Sequence, residues 1–157
     1  MKTLVVYYSR TGNTKKVAEA VTKALGADVE EIVDTKNRRG LLGYLGAGKD
    51  ASLKKKTPIQ PAKKSPAGYD LVVIGTPVWA FTMASPVRTW ISEHAGEVKS
   101  AAFFCTMGGS GDKRTFKAME ELFAKTPKAV LALIEKDIRK NLHLEAVAAF
   151  ATTLRGE

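Results

Sequence analysis

The sequence has a single cysteine, Cys105. No intrachain disulfide can form and no cysteine-rich metal cluster can be built, so a reducing cytosol is the expected compartment. The two histidines, His94 and His143, stand without partner residues at metal-ligand or catalytic spacing. No apolar run approaches the roughly 20 residues that cross a bilayer, so no transmembrane segment is expected. The run from Leu4 to Tyr8 is broken too soon by Ser9 and Arg10 to read as a secretory leader.

Acidic residues are scarce in one place. The chain carries 25 Lys and Arg against 16 Asp and Glu, a formal charge of +9. Nine of those bases (Lys36, Arg38, Arg39, Lys49, Lys54, Lys55, Lys56, Lys63 and Lys64) lie in residues 36–64 with one acid, Asp50, and the rest of the chain is nearly balanced. The basicity is therefore local. It argues against specific nucleic-acid binding by the whole domain, and the segment reads either as a solvated connection or as a patch for an anionic partner.

With 157 residues, 45% of them apolar, the chain suits one domain over 1–157, burying roughly two-thirds of its unfolded surface. Short apolar runs bounded by turn residues recur at Thr3 to Tyr8, Val29 to Val33, Asp70 to Gly75, Ala101 to Thr106 and Ala129 to Glu135. Such runs suit strands buried on both faces. Val17, Ala20, Val21, Ala24 and Leu25 predict a helix from about Thr14 that stops at Gly26. Pro86 stands at a first helical position ahead of Val87, Trp90 and Ile91. Asp112 can cap a helix bearing Phe116, Met119, Leu122 and Phe123, and Leu144, Val147, Ala148, Ala151 and Leu154 mark the last. Alternation of strands and helices predicts an α/β doubly wound three-layer sandwich with a five-stranded parallel sheet in the order 2-1-3-4-5.

Residues 36–66 are the irregular part, a basic insertion where a helix would normally join strands 2 and 3. Leu41, Leu42, Tyr44 and Leu45 fall among Gly40, Gly43, Gly46 and Gly48. A broken helix covering the sheet is expected there, followed by an exposed Lys/Pro loop.

Doubly wound sheets bind ligands beyond the carboxyl ends of their strands. After strand 1 comes Ser9-Arg10-Thr11-Gly12-Asn13-Thr14, leading into a helix. Hydroxyls, an amide, a glycine permitting close backbone approach and the unpaired N–H groups of a helix start make a site for a phosphate; one such residue would suffice for capping alone. The other phosphate chemistries lack their residues. There is no G-x-x-x-x-G-K-[ST] run, and Gly108-Gly109-Ser110-Gly111 lacks dinucleotide spacing and follows strand 4. Six residues beyond Cys105, where a cysteine phosphatase wants arginine, stands Gly111. A phospho-accepting receiver needs acids where this chain has Ser9 and Thr76.

The run Ser9–Thr14 resembles the FMN phosphate loop of flavodoxins. Gly75-Thr76-Pro77-Val78-Trp79-Ala80 and Cys105-Thr106-Met107-Gly108-Gly109 fall where that family's two isoalloxazine loops lie. The resemblance implies that FMN is the cofactor, that Ser9, Arg10, Thr11, Gly12, Asn13 and Thr14 serve its phosphate, and that Thr76, Pro77, Val78, Trp79 and Ala80 line the ring on one side. Thr106, Met107, Gly108 and Gly109 would line it on the other. It implies electron transfer to a redox partner protein or to a small-molecule acceptor, as a carrier or as an FMN-dependent NAD(P)H or quinone reductase; the remaining alternative is a non-enzymatic module that uses the fold or the basic segment for interaction. Trp79 offers the ring a flat apolar face, or else is a core aromatic beneath the loop. Trp90 and Cys105 read as core. Two features depart from the carrier pattern. No glycine among Val78, Trp79 and Ala80 eases a backbone flip beside the flavin N5, and Gly108 and Gly109 stand where an aromatic often covers the outer ring face.

Overall fold

The computed structural model describes residues 1–156. Strands β1 (Thr3–Tyr7), β2 (Asp28–Glu31), β3 (Leu71–Trp79), β5 (Ala101–Met107) and β6 (Val130–Ile134) form a parallel sheet in the order β2-β1-β3-β5-β6. This is the expected 2-1-3-4-5 arrangement, with β4 (Thr82–Met83) added as a short antiparallel partner of β3.

Side chains alternate across this sheet and divide the core in two. Leu4, Val6, Val72, Ile74 and Phe103 face one layer, where α3 (Ser85–His94) and α4 (Asp112–Phe123) bring Val87, Trp90, Ile91, Met119 and Phe123 against them. Val5, Leu71, Val73, Ala102 and Phe104 face the other. There α1 (Asn13–Leu25), α5 (Glu135–Arg139) and α6 (Leu144–Arg155) supply Val17, Val21, Ile138, Val147, Phe150 and Leu154.

The element bounds differ from expectation at places with identifiable causes. β3 runs four residues beyond Gly75, because pairing with β5 holds Thr76 and Pro77 extended and pairing with β4 holds Val78 and Trp79. β2 is an exposed edge strand starting one residue early, at Asp28. Glu135 opens the unanticipated α5 instead of ending β6, and Gly111, not Asp112, is the cap of α4.

The largest difference concerns α2 (Gly40–Ser52), an unbroken helix of 13 residues in place of the broken one expected. Its inner face is made of Gly43, Ala47 and Ala51, spaced four apart. A Cβ at Gly43 would collide with the Arg38 backbone, so only a face of minimal side chains can approach this closely. Leu41, Leu42, Tyr44 and Leu45 are turned outward into solvent instead of covering the sheet. The following Lys/Pro tract is largely exposed, yet it is pinned where Gln60 N–H donates to Val33 O at 2.9 Å and Thr35 N–H to Pro58 O at 3.2 Å.

Candidate functional site

The site begins where β1 gives way to α1. Gly12, at φ +101°, is the N-cap of α1 and carries no side chain to satisfy the first-turn donors. The Gly12 N–H instead donates to Ser9 Oγ at 3.1 Å, which closes the turn. Helix geometry leaves the N–H groups of the first turn without intrahelical acceptors and aligns the positive end of the helix dipole with them, so this terminus is suited to an anion. Thr14 Oγ1 lies 2.8 Å from Thr106 Oγ1 and ties this loop to the end of β5.

The opposite wall comes from the end of β3. Trp79 pairs with Thr82 across a two-residue turn in which Ala80 and Phe81 have φ of +47° and +62°. That is the left-handed geometry of a type I′ turn, in which residues with a side chain are strained. Hairpin pairing holds Ala80 and Phe81 in left-handed backbone without a glycine. Thr76 is fully buried; its hydroxyl donates to Pro77 O at 2.9 Å and accepts from Ala84 N–H at 3.0 Å, so it fastens the hairpin and faces away from solvent.

Between these walls lies a cleft of about 190 Å³. Of the residues singled out in the sequence, Arg10, Thr11, Asn13, Thr14, Pro77, Val78, Trp79, Thr106 and Gly108 are brought together in its lining, and Tyr44 and Glu135, which were not singled out as site residues, join them. Ser9 faces an adjoining cavity shared with Arg10 and Arg38. Ala80 faces a second, largely apolar cavity of about 320 Å³, whose walls include Tyr44, Leu45, Val78 and Trp79. Gly12 shapes the turn, Met107 is buried at the strand end, and Gly109 is exposed outside the cleft.

Trp79 combines the two roles the sequence left open. It is 7% exposed and belongs to the core, with its ring edge-on to Tyr8 at 5.4 Å, yet it still forms part of the cleft wall. The Arg38 guanidinium sits 5.2 Å from its ring centroid. Arg38 is itself buried, paired with Asp34 and, at 3.0 Å, with Asp50. Burial works against the Arg38 charge, but hydrogen bonds to Asp34 and Asp50 outweigh it and hold the group more firmly protonated than usual. Burial, together with the Asp34 carboxylate, pushes the Tyr8 phenol up to about 12, so it stays a neutral hydrogen-bonding group. The sequence signal for Arg38 was masked by its place in a lysine-rich run. Tyr44 was visible only as one member of an apolar cluster.

No group of His, Cys, Asp or Glu among the described residues could hold a metal ion. No described helix is long and apolar enough to cross a membrane. A helix start with no side-chain cap faces an aromatic-walled slot at the switch point of a doubly wound α/β sheet, the place where such folds bind ligands. The family model for flavodoxin matches residues 2–150, and the chain belongs to that family.

Solved structures agree on the fold. A flavoprotein from Lactobacillus acidophilus NCFM in complex with FMN is 25% identical, with a TM-score of 0.73 over 88% of this chain and 97% of the other. The apo-form of the flavoprotein from that organism is 26% identical, with a TM-score of 0.62 over 88% and 95%. Oxidised flavodoxin 2 from Bacillus cereus, 15% identical, shares the fold with a TM-score of 0.59 over 99% of each chain. No curated protein matches the chain.

Proposed function

We propose that the protein binds one FMN non-covalently and uses it to transfer electrons to a redox partner protein. One observation carries this reading: a single cleft joins the start of α1, which has no side-chain cap, to Trp79. The residues fit the cofactor at both ends. Thr11, Asn13, Thr14 and the first-turn N–H groups of α1 would hold the phosphate, with Arg10 adding positive charge. Pro77, Val78 and Trp79 on one wall and Thr106 and Gly108 on the other would flank the ring. The Thr14–Thr106 hydrogen bond fixes the two loops relative to each other. When bound, the isoalloxazine supplies the redox chemistry, and the protein positions it. The FMN complex of the Lactobacillus acidophilus flavoprotein supports the choice of cofactor. The visible absorbance of the purified protein, before and after adding FMN, tests the reading: flavin bands that stay with the protein through gel filtration support it, and their loss argues against it.

A second reading, an FMN-dependent NAD(P)H:quinone or related oxidoreductase, is favoured by the apolar cavity bounded by Tyr44, Leu45, Val78, Trp79 and Ala80, which leaves room for a small acceptor beside the cleft. Oxidation of NAD(P)H by the FMN-loaded protein, with a quinone and no partner protein, separates the two.

A further inference from the structure

Helix α2 is inverted relative to an ordinary surface helix. Its small residues Gly43, Ala47 and Ala51 face inward, while Leu41 (73% exposed), Leu42 (84%), Tyr44 (60%) and Leu45 (57%) face solvent. Leu53, just past the helix, and Phe81 are also more than half exposed. Lys49, four residues after Leu45 and seven after Leu42, shares their side of the helix. Exposed Arg39 precedes the helix, and Lys54, Lys55 and Lys56 follow it. Asp50, the only acid in residues 36–64, is taken up by Lys36 at 3.1 Å and Arg38 at 3.0 Å, so it does not offset the surface lysines.

We propose that α2 and its lysine-rich flank form a docking surface for an anionic lipid bilayer, with Leu41, Leu42, Tyr44 and Leu45 entering the interface and the lysines meeting the headgroups. Charge argues against a second copy as the occupant, because pairing would bring together two segments that each hold nine bases and one acid. Composition favours a bilayer over an acidic protein. Protein interfaces are depleted in lysine, and leucine is rare among their hot spots, whereas aliphatic side chains flanked by lysine suit a lipid interface that demands no shape complementarity. Tyr44 belongs both to this surface and to the cleft wall, so docking would set the mouth of the cleft against the membrane.

The experiment is sedimentation of the full chain with vesicles of phosphatidylcholine alone or with about 30% phosphatidylglycerol. Leu41→Ser/Leu42→Ser and Lys54→Gln/Lys55→Gln/Lys56→Gln are run beside it, and none of these residues lines the proposed FMN cleft. FMN titration and circular dichroism of each variant are expected to match the parent protein, which separates this surface from the cofactor reading. The parent should partition at least about fivefold better onto the anionic vesicles, weakening in high salt. The serine pair should lose about fivefold with its charge unchanged, and the glutamine triple should lose most of the preference for anionic lipid. Equal partitioning onto both vesicles, or full binding by the serine pair, would overturn the proposal. So would a lipid-free dimer abolished by the serine pair, which gives the face to a second copy. Absence of both vesicle binding and dimer also overturns it and leaves the face to an acidic protein.

Discussion

The Arg38 guanidinium lies 5.2 Å from the Trp79 ring centroid, and both groups are buried. One charged side chain thus links the Asp34 and Asp50 carboxylates to the aromatic wall of the cleft. Removing it leaves the buried Asp34 without its charged partner and Asp50 with Lys36 alone. Arg38→Ala is expected to destabilise the fold by about 3–5 kcal/mol, the usual cost of stranding buried charge. Arg38→Lys keeps the charge but loses the planar fork and should fall between that variant and the parent. Urea unfolding followed by tryptophan fluorescence measures both; parent-like stability in Arg38→Ala would show the cluster to be energetically idle.

Asp50 gives this cluster a pH dependence. Burial pushes its carboxyl up, but hydrogen bonds from Lys36 and Arg38 outweigh it and hold the group below its ordinary value. A carboxyl depressed in the folded state adds stability above its unfolded pKa, near 4, and that stability is lost as pH falls through the folded value. The stability difference between the parent and Asp50→Asn should therefore be constant from about pH 5 to 7 and shrink below about pH 4. A difference independent of pH down to 3 would contradict the assignment.

The Ala80-Phe81 turn holds two residues with side chains in left-handed backbone. Asn-Gly is the pair that a type I′ turn favours. Ala80→Asn/Phe81→Gly should raise stability by about 1–2 kcal/mol by relieving that strain. Thermal melts of the two proteins decide it, and a lower Tm in the variant would mean that Phe81 contributes more through contact than its backbone costs.

Cys105 is fully buried, and burial pushes its thiol up to about 12. It is expected to resist Ellman's reagent in the native protein and to react completely after denaturation. Rapid native reaction would mark it as an accessible redox thiol.

What could be read in the sequence follows from which forces are local. The continuous apolar run of Leu4, Val5, Val6 and Tyr7, buried on both faces of the sheet, and the helical stripe of Val17 and Val21 depend only on nearby spacing, so the strands and main helices were legible, and their alternation pointed to the common five-strand order. The donor-rich run from Thr11 to Thr14 announced the polar end of the cleft for the same reason. The outward turn of Leu41 and Leu42 was not legible, because it is decided by the packing of the small face Gly43, Ala47 and Ala51 against the rest of the fold, which a local cluster of apolar residues does not announce. Nor could local propensity anticipate the hairpin that carries Ala80 and Phe81, which tertiary pairing imposes against their preference.

The central claim is recognition of FMN through its phosphate at the start of α1, and the most direct measurement is a calorimetric titration of flavin-free protein with FMN and with riboflavin. FMN should bind at least about tenfold more tightly, a difference of about 1.4 kcal/mol. Thr11→Ala and Asn13→Ala should each weaken FMN by about 1.5–3 kcal/mol, the worth of a hydrogen bond to a charged group, while changing riboflavin much less. Equal affinities for the two flavins, or equal losses of both in the variants, would contradict phosphate recognition at this loop and leave Thr11 and Asn13 as structural residues of the turn.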